Sequence, residues 1–334
     1  MANLQTTYLG MPIKNPLVAG ASPLSQQLDL AKQLEDSGVG ALVMYSLFEE
    51  EITHDSLELD YFLNRGTETQ PEAQTYLVEP SKIVTSGDRY LEQLRRLKDA
   101  LEIPVIASLN GSTRGGWISL AREIEAAGAD ALELNIYSVR ADPSLTSDLI
   151  EKTYTTLVHE VSSSIHIPVA IKLSPFFTTL PQLFSRFEKA GAAGLVLFNR
   201  FMQPDIDIET LEVNTRARLS SPSDLTLPVR WIALESPRVN VDFALSGGVH
   251  SATEMIKGIM AGAKVTQVVS KFLKNGVQSA MGMLRELNGW MDAHDYSSID
   301  MLHGVMAEDR VGEATAYERA NYLKALRNYQ EKFV

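Results

Sequence analysis

The sequence predicts an α/β protein folded as a (β/α)8 TIM barrel, and three observations carry that expectation. A helical segment closes on a small residue plus glycine, followed by a short apolar run, at four places in the chain. Four further apolar runs lie between or beside these joints, which makes eight candidate strands over about 250 residues, the span expected of such a barrel. The residues at the C-terminal ends of these strands are unusually polar, as they would be around a barrel mouth.

Taken in order, Asn15-Pro16-Leu17-Val18-Ala19 supplies the first strand, and the joint Ser37-Gly38-Val39-Gly40 leads into the second, Ala41 to Tyr45. Ile103-Pro104-Val105-Ile106-Ala107-Ser108 is the third, with proline at its start, where a missing N–H costs least. Ala127-Gly128-Ala129-Asp130 precedes the fourth, Ala131 to Asn135, and Ile167-Pro168-Val169-Ala170-Ile171-Lys172-Leu173 is the fifth. Ala190-Gly191-Ala192-Ala193 opens the sixth, Gly194 to Asn199. Asp242-Phe243-Ala244-Leu245-Ser246 is the seventh, and Ala261-Gly262-Ala263-Lys264 opens the eighth, Val265 to Ser270. Glycine at a helix end accepts the left-handed conformation that stops the helix, and a continuous apolar run reads as a parallel strand buried on both faces. Successive joint glycines lie 90, 63 and 71 residues apart, room for about two βα units per interval. A doubly wound open sheet shares this periodicity and is the alternative, because periodicity does not distinguish closure from openness.

Two segments fall outside the rhythm. Leu47 to Asp88 separates the second strand from its helix, either as a lid over the strand ends or as a surface excursion. Residues 305–334 form an expected C-terminal helical extension to a barrel over 1–304. Tyr317, Tyr322, Leu323, Leu326 and Tyr329 give the extension an apolar face that docks on the barrel or on a second copy of the chain, making a homodimer.

Composition narrows the chemistry. The 334 residues include no cysteine, which excludes disulfides, thiolate nucleophiles and iron–sulfur ligation within the chain and fits a reducing cytoplasm. A formal charge of -12 without a basic block argues against nucleic acid as a partner. No apolar stretch reaches the length of a membrane span, and MANLQTTYLGMPIKNPL lacks the pattern of a secretory signal. The six histidines show no ligand spacing, so no metal is expected, and the three tryptophans read as packing residues.

The strand ends read Ala19-Gly20-Ala21-Ser22, Tyr45-Ser46, Ser108-Leu109-Asn110-Gly111, Asn135-Ile136-Tyr137-Ser138, Lys172-Leu173-Ser174, Asn199-Arg200, Ser246-Gly247-Gly248 and Val269-Ser270-Lys271. Each polar residue alone could cap a helix or satisfy a turn; together they describe donors around a large, flat polar ligand. Ser246-Gly247-Gly248-Val249-His250-Ser251 precedes a helix from Ala252 to Met260, so its amides, with those around Val269 and Ser270, suit a phosphate.

Asn15-Pro16-Leu17-Val18-Ala19-Gly20, Glu133-Leu134-Asn135, Ile171-Lys172-Leu173-Ser174-Pro175, Asn199, Ser246-Gly247-Gly248 and Ser270, in this order, resemble the dihydroorotate dehydrogenase family of FMN-dependent barrels. The resemblance extends from about residue 4 to Gly304, and it implies an FMN-dependent oxidoreductase acting on dihydroorotate or a related dihydropyrimidine. It further implies that Gly20 and Ala21 line the flavin, that Lys172 faces its N1/O2 edge, and that Gly247, Gly248, Val269 and Ser270 hold its phosphate, with Asn110 an additional contact. A lysine at that edge stabilises the negative charge of reduced flavin. Asn135 and Asn199 would meet the substrate's ring carbonyl and N–H groups or the flavin. Ser138 stands where the family has its cysteine or serine base. Serine needs a proton relay to serve in that role.

The chain also departs from the family. Tyr45 stands at a common lysine, Val139 and Arg140 at a proline and an asparagine, and Arg200 at a serine or threonine; the usual asparagine-rich loop is not recognisable within Leu47 to Asp88. Arg140 and Arg200 are therefore expected either to clamp a substrate carboxylate or to pair with Asp142 or Asp205. Three electron acceptors stay open: fumarate, a nicotinamide, or a separate electron-transfer partner. So do two other readings, an FMN barrel for a dihydrouracil-like ring or an enoate, and a flavin-free phosphate-binding lyase or isomerase using Lys172 as a Schiff base.

Overall fold

A computed structural model describes residues 2–52, 54–55, 85–110, 114–136, 141–200, 203–214, 218–312 and 317. Its centre is a closed eight-stranded parallel barrel. The barrel strands are β3 (Leu17–Ala19), β4 (Ala41–Phe48), β5 (Val105–Asn110), β6 (Ala131–Ile136), β7 (Val169–Leu173), β8 (Gly194–Leu197), β11 (Asp242–Ser246) and β12 (Ala263–Val268), with β8 pairing β11 and β12 pairing β3 to close the ring; β9 (Asp205–Asp207) and β10 (Glu212–Asn214) form a separate antiparallel pair between β8 and β11 in the chain. All eight expected strands are present, and closure removes the open-sheet alternative.

Helices α1 (Leu28–Asp36), α2 (Ser86–Ala100), α3 (Arg114–Ala126), α4 (Ser147–Ser164), α5 (Leu180–Lys189), α6 (Thr226–Glu235) and α7 (Ala252–Ala261) follow seven of the strands in turn, and α8 (Ser270–Asn275) and α9 (Ser279–Ala293) follow the eighth. Their apolar faces pack on the outer surface of the strands in one continuous core.

Some boundaries move. Strand β4 continues to Phe48, with Leu47 buried, and helix α2 already starts at Ser86. Thr85 caps that helix, its hydroxyl accepting the Asp88 N–H while the Asp88 carboxylate accepts the Thr85 N–H. The expected Leu47 to Asp88 excursion is therefore shorter at both ends, and residues 56–84 lie outside the described residues. Ser270 opens a helix rather than ending strand eight, and Asn199 lies two residues beyond β8. Of the C-terminal apolar face, Tyr317 is described, its hydroxyl donating to the Met306 carbonyl at 2.6 Å; Tyr322, Leu323, Leu326 and Tyr329 lie outside the described residues.

The barrel interior is layered. Val18, Val43, Ile106, Ala131, Ala170, Val196, Ala244 and Val265, at least one from each strand, form an apolar layer with Tyr8, Leu9 and Ile13. The latter three belong to an N-terminal hairpin, β1 (Thr6–Tyr8) and β2 (Met11–Ile13), which the strand pattern did not predict. Its two turn residues both have positive φ, Leu9 at 52° and Gly10 at 76°, as a two-residue hairpin turn of primed type needs. Leucine is disfavoured there, and two contacts hold it: its N–H donates to Asp242 Oδ2 at 2.7 Å, and its side chain occupies space that a Cβ on Gly194 would invade at 2.6 Å. The hairpin thereby plugs the floor. Two residues further along β5, β6, β7 and β12, the same inward face turns polar, with Ser108, Glu133, Lys172 and Gln267 all buried.

Three joints share a glutamate three residues before the glycine, and each anchors a distant strand. Glu35 accepts the Glu102 and Ile103 N–H groups at 2.8 and 2.9 Å, and Glu188 accepts the Asn240 N–H at 3.1 Å. Glu125 accepts the His166 and Ile167 N–H groups at 2.6 and 3.2 Å, and these bonds, the His166 one first, hold its carboxyl below the usual carboxylate range. A depressed carboxyl stabilises the fold above its unfolded value and loses that contribution as pH falls through the folded one. Glu125→Ala is expected to lower the unfolding free energy by about 1 kcal/mol at neutral pH, discounted for partial exposure, with the deficit shrinking as the pH falls below about 4. Urea unfolding of both proteins at pH 7 and at pH 3 checks this.

Candidate active site

A cavity of about 520 Å³ opens at the C-terminal ends of β7, β8, β11 and β12. Its apolar walls are Pro175, Phe176, Phe198, Val249 and Val269, and its polar lining includes Lys172, Asn199, Ser246 and Gln267.

Lys172 reaches the cavity from β7 by alternation: Ala170 faces the apolar layer, and Lys172, two residues on, faces the layer above. Its Nζ donates to Glu133 Oε1 at 3.2 Å and to Gln267 Oε1 at 3.3 Å, and Gln267 Nε2 donates to Glu133 Oε2 at 2.6 Å. The three side chains, from β7, β6 and β12, close a ring of hydrogen bonds inside the barrel. Sequence reasoning named Glu133 only as part of a motif and missed Gln267. The signal was available, since each is a polar residue two positions beyond an inward apolar one, Ala131 or Val265.

Gly247 and Gly248 have φ of 90° and 77°. Successive left-handed residues turn their N–H groups into a shared concavity, which binds anions. A Cβ on Gly248 would stand 2.6 Å from the Leu225 nitrogen, whereas one on Gly247 would meet nothing within 4 Å and would fill the cradle itself. Helix α7 follows, capped by Ser251 and Glu254. Val269 and Ser270 line the same end of the cavity. The Ser270 hydroxyl accepts the Ser220 N–H and hydroxyl at 2.9 and 2.8 Å, which pins the β8–α6 connection across the rim. That connection also brings Arg218, Leu219 and Asp224 to the cavity, residues no strand-end pattern points to.

The remaining expected residues divide. Ala21 lines the cavity. Gly20 packs strand ends together, since a Cβ there would meet Val269 Cγ2 at 2.9 Å. Asn110 is buried at the end of β5, in register with Asn135, and is not among the residues lining the cavity. Asn199 Nδ2 donates to Asn135 Oδ1 at 2.7 Å, joining two expected site residues. Arg200 lines the cavity but is half exposed and pairs with Asp224 at 3.4 Å, not with Asp205, whose partner is Arg218 at 3.2 Å. Ser138 and Arg140 lie outside the described residues, so the two-arginine clamp rests on Arg200 alone. Tyr45, at the family's common lysine, packs edge-on against Tyr90 with ring centroids 5.0 Å apart, and burial pushes its hydroxyl pKa up. Among the described residues no cluster of three or more metal-ligating side chains occurs, and no helix is long and apolar enough to cross a membrane.

A closed parallel barrel with an anion cradle after its seventh strand and a buried lysine at its fifth defines a cofactor-binding (β/α)8 barrel. The sequence pattern of the dihydroorotate dehydrogenase family matches residues 81–291. The catalytic subunit of dihydroorotate dehydrogenase B (NAD(+)) of Thermoplasma acidophilum is 26% identical over 321 residues, covering 91% of this chain and 99% of that protein. The subunit of the same name from Bacillus cereus strain AH187 is 26% identical over 291 residues, covering 80% of this chain and 85% of that one. The chain belongs to the dihydroorotate dehydrogenase family.

The cavity residues fit FMN. Gly247 leaves a cradle open for its phosphate, the apolar walls suit a flat ring, and the ammonium of Lys172 supplies a donor for its electron-rich edge. Gly247→Ala places a methyl group in the cradle at a φ that disfavours alanine. It is expected to weaken FMN binding by at least about tenfold, the factor that corresponds to 1.4 kcal/mol, with the circular dichroism of the fold retained. Fluorescence titration with FMN measures the change.

Proposed function

We propose that the chain is an FMN-dependent oxidoreductase that converts dihydroorotate to orotate. The observation that carries this reading is the buried Lys172 lining the same cavity as Gly247 and Gly248. The names of the two relatives above, both dihydroorotate dehydrogenases, support the substrate.

FMN, when bound, supplies the acceptor for the substrate's hydride. The backbone N–H groups of Gly247, Gly248, Val269 and Ser270 would hold its phosphate, and Ala21 would contribute to the ring's pocket. Lys172 stabilises negative charge at the N1/O2 edge. The Asn199 to Asn135 hydrogen bond leaves Asn135 Nδ2 to donate and Asn199 Oδ1 to accept, the complement of an adjacent C=O and N–H on a dihydropyrimidine ring. Ser138 takes the role of base through a relay, and Arg200, released from Asp224, meets the substrate carboxylate. The relatives' names specify NAD(+), and this chain supplies no cysteine for an iron–sulfur cluster. Both points support a nicotinamide as final oxidant, reached through a separate electron-transfer partner in the cytoplasm.

The test is anaerobic mixing of the FMN-loaded protein with dihydroorotate, dihydrouracil and an enoate. Dihydroorotate is expected to bleach the flavin rapidly with one orotate formed per flavin; no bleaching by dihydroorotate overturns the proposal. Lys172→Met is expected to slow the bleaching by about a hundredfold, the usual loss for one preorganised charge-stabilising donor.

A further inference from the structure

We infer that Glu133 and Gln267 are positioning residues which, through Lys172, set the reduction potential of the cofactor; the inference rests on the FMN reading above.

The carboxylate of Glu133 and the ammonium of Lys172 are buried within the barrel, at 1% and 8% side-chain exposure, and Gln267 is equally enclosed. A buried ion pair is generally no more stabilising than well-packed apolar side chains, and the layer directly below is filled by alanine, valine and isoleucine. Stability alone gives this layer no reason to be polar.

The ring has a fixed sense. Gln267 aims its carbonyl oxygen at the ammonium and its NH2 group at the carboxylate, and reversing the amide would set donors against donors on one side and acceptors against acceptors on the other. Two of the three Lys172 N–H bonds are therefore committed to fixed directions, and the side chain lines the cavity with the third. A long, flexible lysine is thereby held in one conformation.

The ring also sets the field that Lys172 presents. A negative charge 3.2 Å from the ammonium offsets part of its pull on any ligand in the cavity. The phenol of Tyr8, in the layer beneath, adds no charge, since burial first and then the carboxylate of Glu133 push its pKa well up. The charge balance at the base of the cavity is one carboxylate against one ammonium, with a neutral amide between them.

Changing the charge or the hold on Lys172 must move the potential in a direction set by the change. Glu133→Gln removes a negative charge and is expected to raise the potential. Gln267→Leu leaves the charges in place but frees the ammonium from one of its two fixed directions, and is expected to lower it. Each shift should amount to about tenfold in the two-electron reduction equilibrium, ~30 mV. The measurement is a spectroelectrochemical titration of the FMN-loaded proteins beside the wild type, with bound FMN quantified for each. Opposite shifts support the inference. Shifts of the same sign, or potentials equal to the wild type despite full FMN loading, overturn it while leaving the FMN reading intact. A wild type that binds no FMN overturns both. If Glu133→Gln does not fold, Gln267→Leu decides alone, and its potential must fall.

Discussion

A charged lysine can reside inside an apolar barrel only where something nearby compensates its lost hydration. Glu133 does so, and Gln267 hydrogen-bonds both groups. Strands β6 and β7, which carry Glu133 and Lys172, are neighbours, and β12 brings Gln267 to them from across the closed barrel. Closure of the sheet, alternation along each strand and the position of the cofactor edge are thus one constraint. A slip of one residue in β7 would turn Lys172 outward and leave Glu133 buried without its cation.

The rest of the barrel supports that ring from both ends. Below it, the N-terminal hairpin and the apolar layer seal the floor, so the polar layer is open only toward the mouth. Above it, the left-handed glycines after β11 and the turn after β12 set backbone donors across the cavity from the lysine. The β8–α6 connection, tied to Ser270 by Ser220 and to itself by the Arg200 to Asp224 pair, forms the rim. One end of the cavity suits a phosphate and the other the electron-rich edge of a flat ring.

Much of this was legible in the sequence. The glycine joints at 38, 128, 191 and 262 and the apolar runs mark all eight strands, because helix ends and buried parallel strands each leave a local pattern. Lys172 and the twin glycines stand out at strand ends for the same reason. The ring around Lys172 did not, because its partners lie 39 and 95 residues away, Glu133 on the neighbouring strand and Gln267 across the barrel. The floor hairpin was missed because three-residue strands are too short for a periodicity, and the pairing of Arg200 with Asp224 rather than Asp205 depends on how an irregular connection folds. The Glu-x-x-Gly spacing at Glu35, Glu125 and Glu188 was visible, but its meaning emerged only from the distant N–H groups these carboxylates accept.

The most direct test of the account is a crystal structure of the protein with FMN bound. The account requires phosphate density between the Gly247-Gly248 and Val269-Ser270 amides and the pyrimidine edge of the ring within hydrogen-bonding distance of Lys172 Nζ, with Glu133 and Gln267 still on that nitrogen. Flavin density elsewhere, or a Lys172 turned away from the ring, would contradict it.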